Sequence, residues 1–159
     1  MRLIKFNSNI VISLNDPRWS VFAIYMVRCV LKACKLQNLG ISLNLSNDKE
    51  IQNLNYKWKG KKQPTNVLSF PNYSFPKDPN NKQNYLGDII LSYQTLKKEA
   101  VVGNLSFTDH MSHLLVHGIL HLRGYKHDNR VNEKVMQDEE IRILKTLSVC
   151  NPYKNNRRL

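Results

Sequence analysis

An α+β single domain spanning residues 1–159 is the fold class the sequence predicts, with a small four-stranded mixed β-sheet packed with about five helices. Three observations predict it. Short apolar or alternating runs at residues 9–14, 41–46, 66–70 and 85–93 have the length and character of strands. Longer stretches with apolar residues at helical spacing stand between and after them. No internal repeat and no linker divides the 159 residues, a length that buries a core without disulfide staples.

The elements follow in chain order. Residues 9–14 (NIVISL) read as the first strand. Asp16-Pro17 supplies an N-cap followed by proline at the first helical position. Trp19, Phe22, Ala23, Met26, Val30 and Ala33 recur at helical spacing, and Gly40 stops that helix soon after. Residues 41–46 (ISLNLS) alternate like a half-buried strand, and Asn47 or Asp48 caps a second helix carrying Ile51, Leu54 and Asn55. Residues 57–63 are basic and read as a loop that runs into the strand at 66–70, closed by Pro71. Residues 72–84, rich in Pro, Asn and Lys without periodicity, read as a surface loop. A fourth strand at 85–93 and a helix at 95–102, ending at Gly103, follow. Ser106-Phe107-Thr108-Asp109 opens a long helix to about residue 123, which Gly124 ends. The last helix, 131–147, is amphipathic through Val135, Met136, Ile141 (or Ile143) and Leu144, and residues 154–159 (KNNRRL) are expected to be a basic, mobile tail.

Charge narrows the function. Twenty-four Lys and Arg against twelve Asp and Glu leave the chain at +12. Such an excess attracts polyanions, of which nucleic acid is the commonest a soluble protein meets; an anionic membrane surface, or solubility alone, is the alternative. The first residues hold no long apolar run, and the stretch 21–34 is broken by Arg28 and Lys32, so neither a signal peptide nor a membrane span is expected. Cys29, Cys34 and Cys150 are odd in number, without C-x-x-C spacing, which argues for free thiols, no disulfide partner and a cytoplasmic location.

All five histidines fall between residues 110 and 127. His117 and His121 are four apart on the expected long helix, so both imidazoles leave one face about one turn apart. Gly124 lets the backbone turn back, and His127 then reaches the same point. The spacing H-x3-H-x2-G-x2-H is the one metzincin proteases use to bind zinc. Three neutral imidazoles suit one Zn2+ per chain and leave a fourth position open, the layout of a catalytic site rather than a structural one. His110 and His113 share the stripe and are read as packing or supporting residues. Metalloproteases of the H-E-x-x-H type carry their general base after the first histidine, where this chain has Gly118. Peptide hydrolysis therefore lacks its usual base, while Asp128, Glu133 or a substrate phosphate stand as proton acceptors.

Lys57-Trp58-Lys59-Gly60-Lys61-Lys62 packs four cations and an aromatic into six residues beside Tyr56. Cations pair phosphates while a ring stacks on a base, so Lys57, Trp58, Lys61 and Lys62 are candidate contacts to single-stranded RNA, a solvated loop being the alternative.

Three blocks, PTNVLSFP (64–71), LGDIILS (86–92) and the histidine-rich stretch 110–128, resemble in order and spacing the YbeY family of bacterial endoribonucleases. Glu133, Met136 and Glu140 fit that family's last helix, and Asn151-Pro152-Tyr153 its C-terminal end, whereas residues 1–40 resemble it in pattern only. The resemblance implies a single-strand-specific, zinc-dependent endoribonuclease engaged in 16S ribosomal RNA 3′-end maturation, ribosome biogenesis and ribosome quality control. Ribosomal RNA and the small ribosomal subunit would be its partners. It implies His117, His121 and His127 as zinc ligands, and a functional arginine at a position held here by Lys59, which keeps the charge without the bidentate fork. The family's Asp before the third histidine is Lys126 here, with Asp128 after it. Lys59 and His117 are thus the expected catalytic residues. The nucleophile, water or the RNA 2′-OH, is left open. The rival readings are a zinc hydrolase of another substrate, such as a peptidase, and a non-catalytic zinc-containing ribosome-assembly factor.

Overall fold

The computed structural model describes residues 2–7, 9–36, 38–73 and 84–154. Most of the expected surface loop at 72–84, and the tail beyond residue 154, lie outside the described residues. The described chain forms β1 (Arg2–Lys5), β2 (Ile10–Leu14), α1 (Val21–Ala33), β3 (Gly40–Ser46), α2 (Asp48–Lys59), β4 (Val67–Pro71), β5 (Tyr85–Ser92), α3 (Tyr93–Val102), α4 (Phe107–Leu122) and α5 (Arg130–Thr146). The strands make one mixed sheet in the order β1-β2-β3-β5-β4. β2, β3 and β5 run parallel, and β1 and β4 are antiparallel edges.

The expected four-stranded sheet has five strands. β1 was missed because it is only four residues long and lies at an edge, where Leu3 is 58% exposed and one-sided burial leaves little pattern. The start of α1 also differs. Asp16 does not cap the helix; it accepts from the Arg18 backbone N–H (2.9 Å) and from the Arg18 guanidinium (2.8 and 2.6 Å). Ser20 is the cap, accepting from Ala23 N–H at 3.1 Å. The helix ends at Ala33, and Gly40 opens β3 instead of closing α1. Asn47 caps α2 through Glu50 N–H. That helix runs through Lys57-Trp58-Lys59 before Gly60 closes it, so half of the expected basic loop is the last helical turn.

One face of the sheet is covered by helices over β2, β3 and β5. Ile10 and Ile12 of β2, Ile41, Leu43 and Leu45 of β3, and Leu86, Ile89 and Leu91 of β5 join Val27, Leu31, Leu115, Ile119 and Ile143 of the helices in one buried cluster. α4 lies at its centre, packing on β4, β5, α1, α3 and α5. Among the described residues the other face is covered only in part, by α2, whose Ile51 and Leu54 sit over Leu68, Phe70 and Ile90. Cys29, Cys34 and Cys150 are free, and burial pushes the Cys34 thiol up to about 12. No helix among the described residues is long and apolar enough to cross a membrane.

Candidate metal centre

The site is built on α4 because that helix is held against the sheet. Ser106 caps it by accepting from Asp109 N–H at 3.0 Å. Gly118 lets it lie close: a β carbon there would stand 3.0 Å from Ser69 Oγ and 3.3 Å from Ile89. Position 118 therefore packs on β4 and β5, with no room for a glutamate.

Beyond Leu122 the chain closes in a Schellman turn. Tyr125 N–H donates to Leu120 O and Gly124 N–H to His121 O, both at 3.0 Å. Gly124 occupies the left-handed position, φ +91°, where a side chain is disfavoured although nothing lies within 4 Å of its would-be β carbon. The turn sends the backbone back over α4 and brings His127 to the other two rings.

The imidazole nitrogens of His117, His121 and His127 lie within 4.8 Å of one another. His117 Nε2 and His121 Nε2 are 3.0 Å apart. Tetrahedral zinc with bonds of about 2.05 Å spaces its nitrogens by about 3.3 Å, so the pair is close to ligand spacing. Their outward nitrogens are committed elsewhere. His117 Nδ1–H donates to Glu140 Oε1 at 2.6 Å, and His121 Nδ1–H to Tyr125 O at 3.0 Å. Both rings are thereby held in the tautomer that leaves Nε2 unprotonated toward the shared point. Burial, then the neighbouring His117 ring, lowers the His121 pKa and favours the neutral form a metal needs. Three imidazoles without a thiolate fit a divalent transition metal such as zinc.

Glu140, named from the sequence only as fitting the family's last helix and given no role at the site, is fully buried beneath it. It accepts from His117, from His113 Nε2 (3.3 Å) and from Tyr153 Oη, which itself lies 3.2 Å from His113 Nε2. Burial alone would raise its carboxyl pKa. The hydrogen bonds from His113, His117 and Tyr153 outweigh that and bring it down to about 2. The signal was present: Glu140 sits in the apolar stripe of α5 with Met136, Ile143 and Leu144, where a lone carboxylate needs partners. His113 thus supports the centre from behind, whereas His110 pairs with Glu99 at 2.7 Å, away from it.

The histidines open into a cleft of about 1000 Å³ lined also by Lys59, Ser69, Arg123 and Lys126. Among the described residues no carboxylate lines it. Asp128 is instead held by Asn132 Nδ2 at 2.7 Å, a hydrogen bond that lowers its pKa, and Glu133 accepts from Gln137 at 3.2 Å. Of the basic stretch, Lys59 reaches the metal-side cleft, and Trp58 lines an adjoining one. Lys57, Lys61 and Lys62 line neither; the Lys57 ammonium lies 5.6 Å from the Trp58 ring and Lys62 4.9 Å from the Tyr56 ring.

Residues 5–148 match the family model described as Endoribonuclease YbeY. A protein named Endoribonuclease YbeY from Rhizobium johnstonii is 46% identical over 114 residues, 71% of this chain and 66% of that protein's length, just under two thirds. One of the same name from Ehrlichia canis is 41% identical over 113 residues, covering 71% of this chain and 70% of that protein. The solution structure of TM1509 from Thermotoga maritima shares the fold with a TM-score of 0.56 at 20% identity, over 94% of this chain and 97% of that one.

Proposed function

This chain belongs to the endoribonuclease YbeY family, and from that premise we propose that it is a zinc-dependent endoribonuclease that cleaves single-stranded RNA. One zinc ion per chain is held by His117, His121 and His127. The work assigned to it is maturation of the 16S ribosomal RNA 3′ end, ribosome biogenesis and ribosome quality control, in the cytoplasm and on the small ribosomal subunit.

The observation that carries this reading is a donor set of three converging imidazoles in a cleft whose other charged lining side chains, Lys59, Arg123 and Lys126, are cationic. Such a cleft favours a phosphodiester over a neutral peptide. When bound, the metal supplies Lewis acidity beside the scissile phosphate. The protein's own groups do the rest. Lys59 neutralises charge developing on the phosphate. Its single ammonium does this as a point charge, without the planar fork of arginine. Trp58, at the end of the same helix, offers a ring face for a base, and the neighbouring lysines hold the backbone as it enters. Glu140 keeps His117 oriented. With no carboxylate among the described lining residues, proton transfer falls to the substrate's own phosphate or to solvent. The peptidase alternative loses support at position 118, where the close approach to Ser69 and Ile89 excludes a glutamate.

The test is incubation of zinc-loaded protein with labelled single-stranded RNA and, separately, with casein, each with and without a chelator. RNA cleavage that the chelator abolishes, with casein intact, is the expected result. Casein cleavage, or an occupied histidine site with intact RNA, would overturn the reading.

A further inference from the structure

Among the described residues, α2 covers the sheet's second face only in part. The pleat directs Ser13 of β2, Ser42 and Asn44 of β3 and Asp88 of β5 to that face. They line a cleft of about 930 Å³ with Tyr85, with Phe70 of β4, the cross-strand partner of Asp88, and with Leu54 and Trp58 of α2. Trp58 is 63% exposed, and its ring is 5.9 Å from that of Phe70. This cleft is continuous with the metal-side cleft, since Lys59, Ser69, Pro71, Asn72 and Tyr73 line both.

The two clefts differ in charge. Lys59, Arg123 and Lys126 line the metal side. On the sheet side, among the described residues, the charged lining groups are Lys59 at the shared rim and Asp88. Asp88 is exposed and accepts from Tyr85 Oη at 2.8 Å, while Tyr85 also bonds Ser42 Oγ at 2.8 Å. A carboxylate among hydroxyls and an amide repels a phosphate and suits a neutral group that donates hydrogen bonds. The exposed indole beside the Phe70 ring suits a flat ring.

We propose that the sheet-side cleft is a nucleobase subsite, in which a base adjoining the scissile phosphate stacks on Trp58 and presents an exocyclic amino group to Asp88. This deepens the RNA-cleaving reading and rests on it. Lys59, at the shared rim, marks where the strand passes from phosphate on one side to base on the other. Carboxylates read the amino group of cytosine in this manner, and uracil carries a carbonyl in its place. The subsite therefore selects cytidine over uridine.

Binding to metal-free protein separates the two readings, because it needs no turnover. The probes are short oligocytidylate and oligouridylate of equal length, followed by tryptophan emission. The other tryptophan, Trp19, is 3% exposed, so quenching reports Trp58. Oligocytidylate is expected to quench saturably and to bind about tenfold more tightly than oligouridylate, the difference made by one satisfied or orphaned acceptor. Asp88→Ala should bring the two affinities within about twofold while the thermal melting point holds, because Asp88 is exposed and Tyr85 keeps Ser42. Trp58→Phe should abolish the quenching signal. Equal affinity for both oligomers in the wild type, or discrimination retained in Asp88→Ala, overturns the subsite. Cleavage by zinc-loaded protein without quenching also overturns it and leaves the endoribonuclease reading standing; a protein partner on this face would give that outcome. Absence of both binding and cleavage defeats the endoribonuclease reading first, and the subsite with it.

Discussion

A buried carboxylate that three partners keep ionised is an uncommon investment for a single side chain, and Glu140 makes it directly behind His117. Glu140→Gln keeps the shape and removes the charge that holds His117 Nδ1–H. Zinc affinity, read by chelator competition, is expected to fall about 10- to 100-fold. The carboxyl's pKa is depressed from an ordinary 4.5 to about 2, so its stabilising contribution is complete above 4.5 and is lost as pH falls toward 2. In metal-free protein, the stability gap between wild type and Glu140→Gln should therefore narrow across that window in melting curves; a gap constant with pH would contradict the assignment. Lys59 is the second residue on which the chemistry turns. Lys59→Ala should lower the single-turnover cleavage rate by about 100-fold, more than it weakens RNA binding. Lys59→Arg should match or exceed wild type by restoring the fork. Loss of binding alone in Lys59→Ala would reduce the residue to a phosphate grip. The histidine spacing was legible because helix geometry and one glycine suffice to bring three rings together. The role of Glu140, named only as fitting the family's last helix, was not legible because its partners, His113 and Tyr153, come from α4 and from beyond α5, a convergence that sequence spacing does not display.

Elements carry these side chains, and α4 with its turn is the one whose integrity the site needs most. Its two glycines serve different ends, which substitution to alanine separates. Gly118→Ala adds a methyl at 3.0 Å from Ser69 Oγ and should destabilise the fold by about 1–3 kcal/mol by lifting α4 from β4 and β5. Gly124→Ala meets no neighbour, so its cost, about 1 kcal/mol, is that of a left-handed backbone alone. It should also weaken zinc binding by displacing His127. Melting curves with and without zinc measure both, and equal effects of the two substitutions would contradict the division. The same physics explains which elements the sequence displays. β3 and α5 are legible from periodicity because each buries one face, whereas β5 and α4 are buried on most sides and read as continuous apolar runs. The last turn of α2 was hidden by its charge: Lys57-Trp58-Lys59 is compatible with a helix, and Gly60 marks its end, but the cationic run suggested a solvated loop. Asp16-Pro17 imitated a helix start because an aspartate that accepts from the chain two residues on uses the same bonding as a cap.

At the scale of the whole molecule, the net charge of +12 predicts RNA affinity that falls steeply with salt. The fold divides that charge between groups lining the metal-side cleft and groups that do not. Replacing Lys59 and Lys126 together should flatten the dependence of log affinity on log salt by about two phosphate contacts, whereas replacing Lys61 and Lys62 should change it less. The reverse order would move the principal RNA surface away from the histidines. That division was not legible in the sequence, because Lys59 and Lys126 are distant in the chain and come to line one cleft only in the fold. The central claim joins metal, cleft and reaction, and one titration tests all three together. Zinc is added stepwise to metal-free protein while cleavage of a labelled single-stranded RNA is measured in the same samples. The account predicts no cleavage without metal, a rise in proportion to zinc, and a break at about one equivalent per chain that His117→Ala removes. Cleavage that persists in the metal-free protein, or a filled histidine site that leaves the RNA intact, would contradict it.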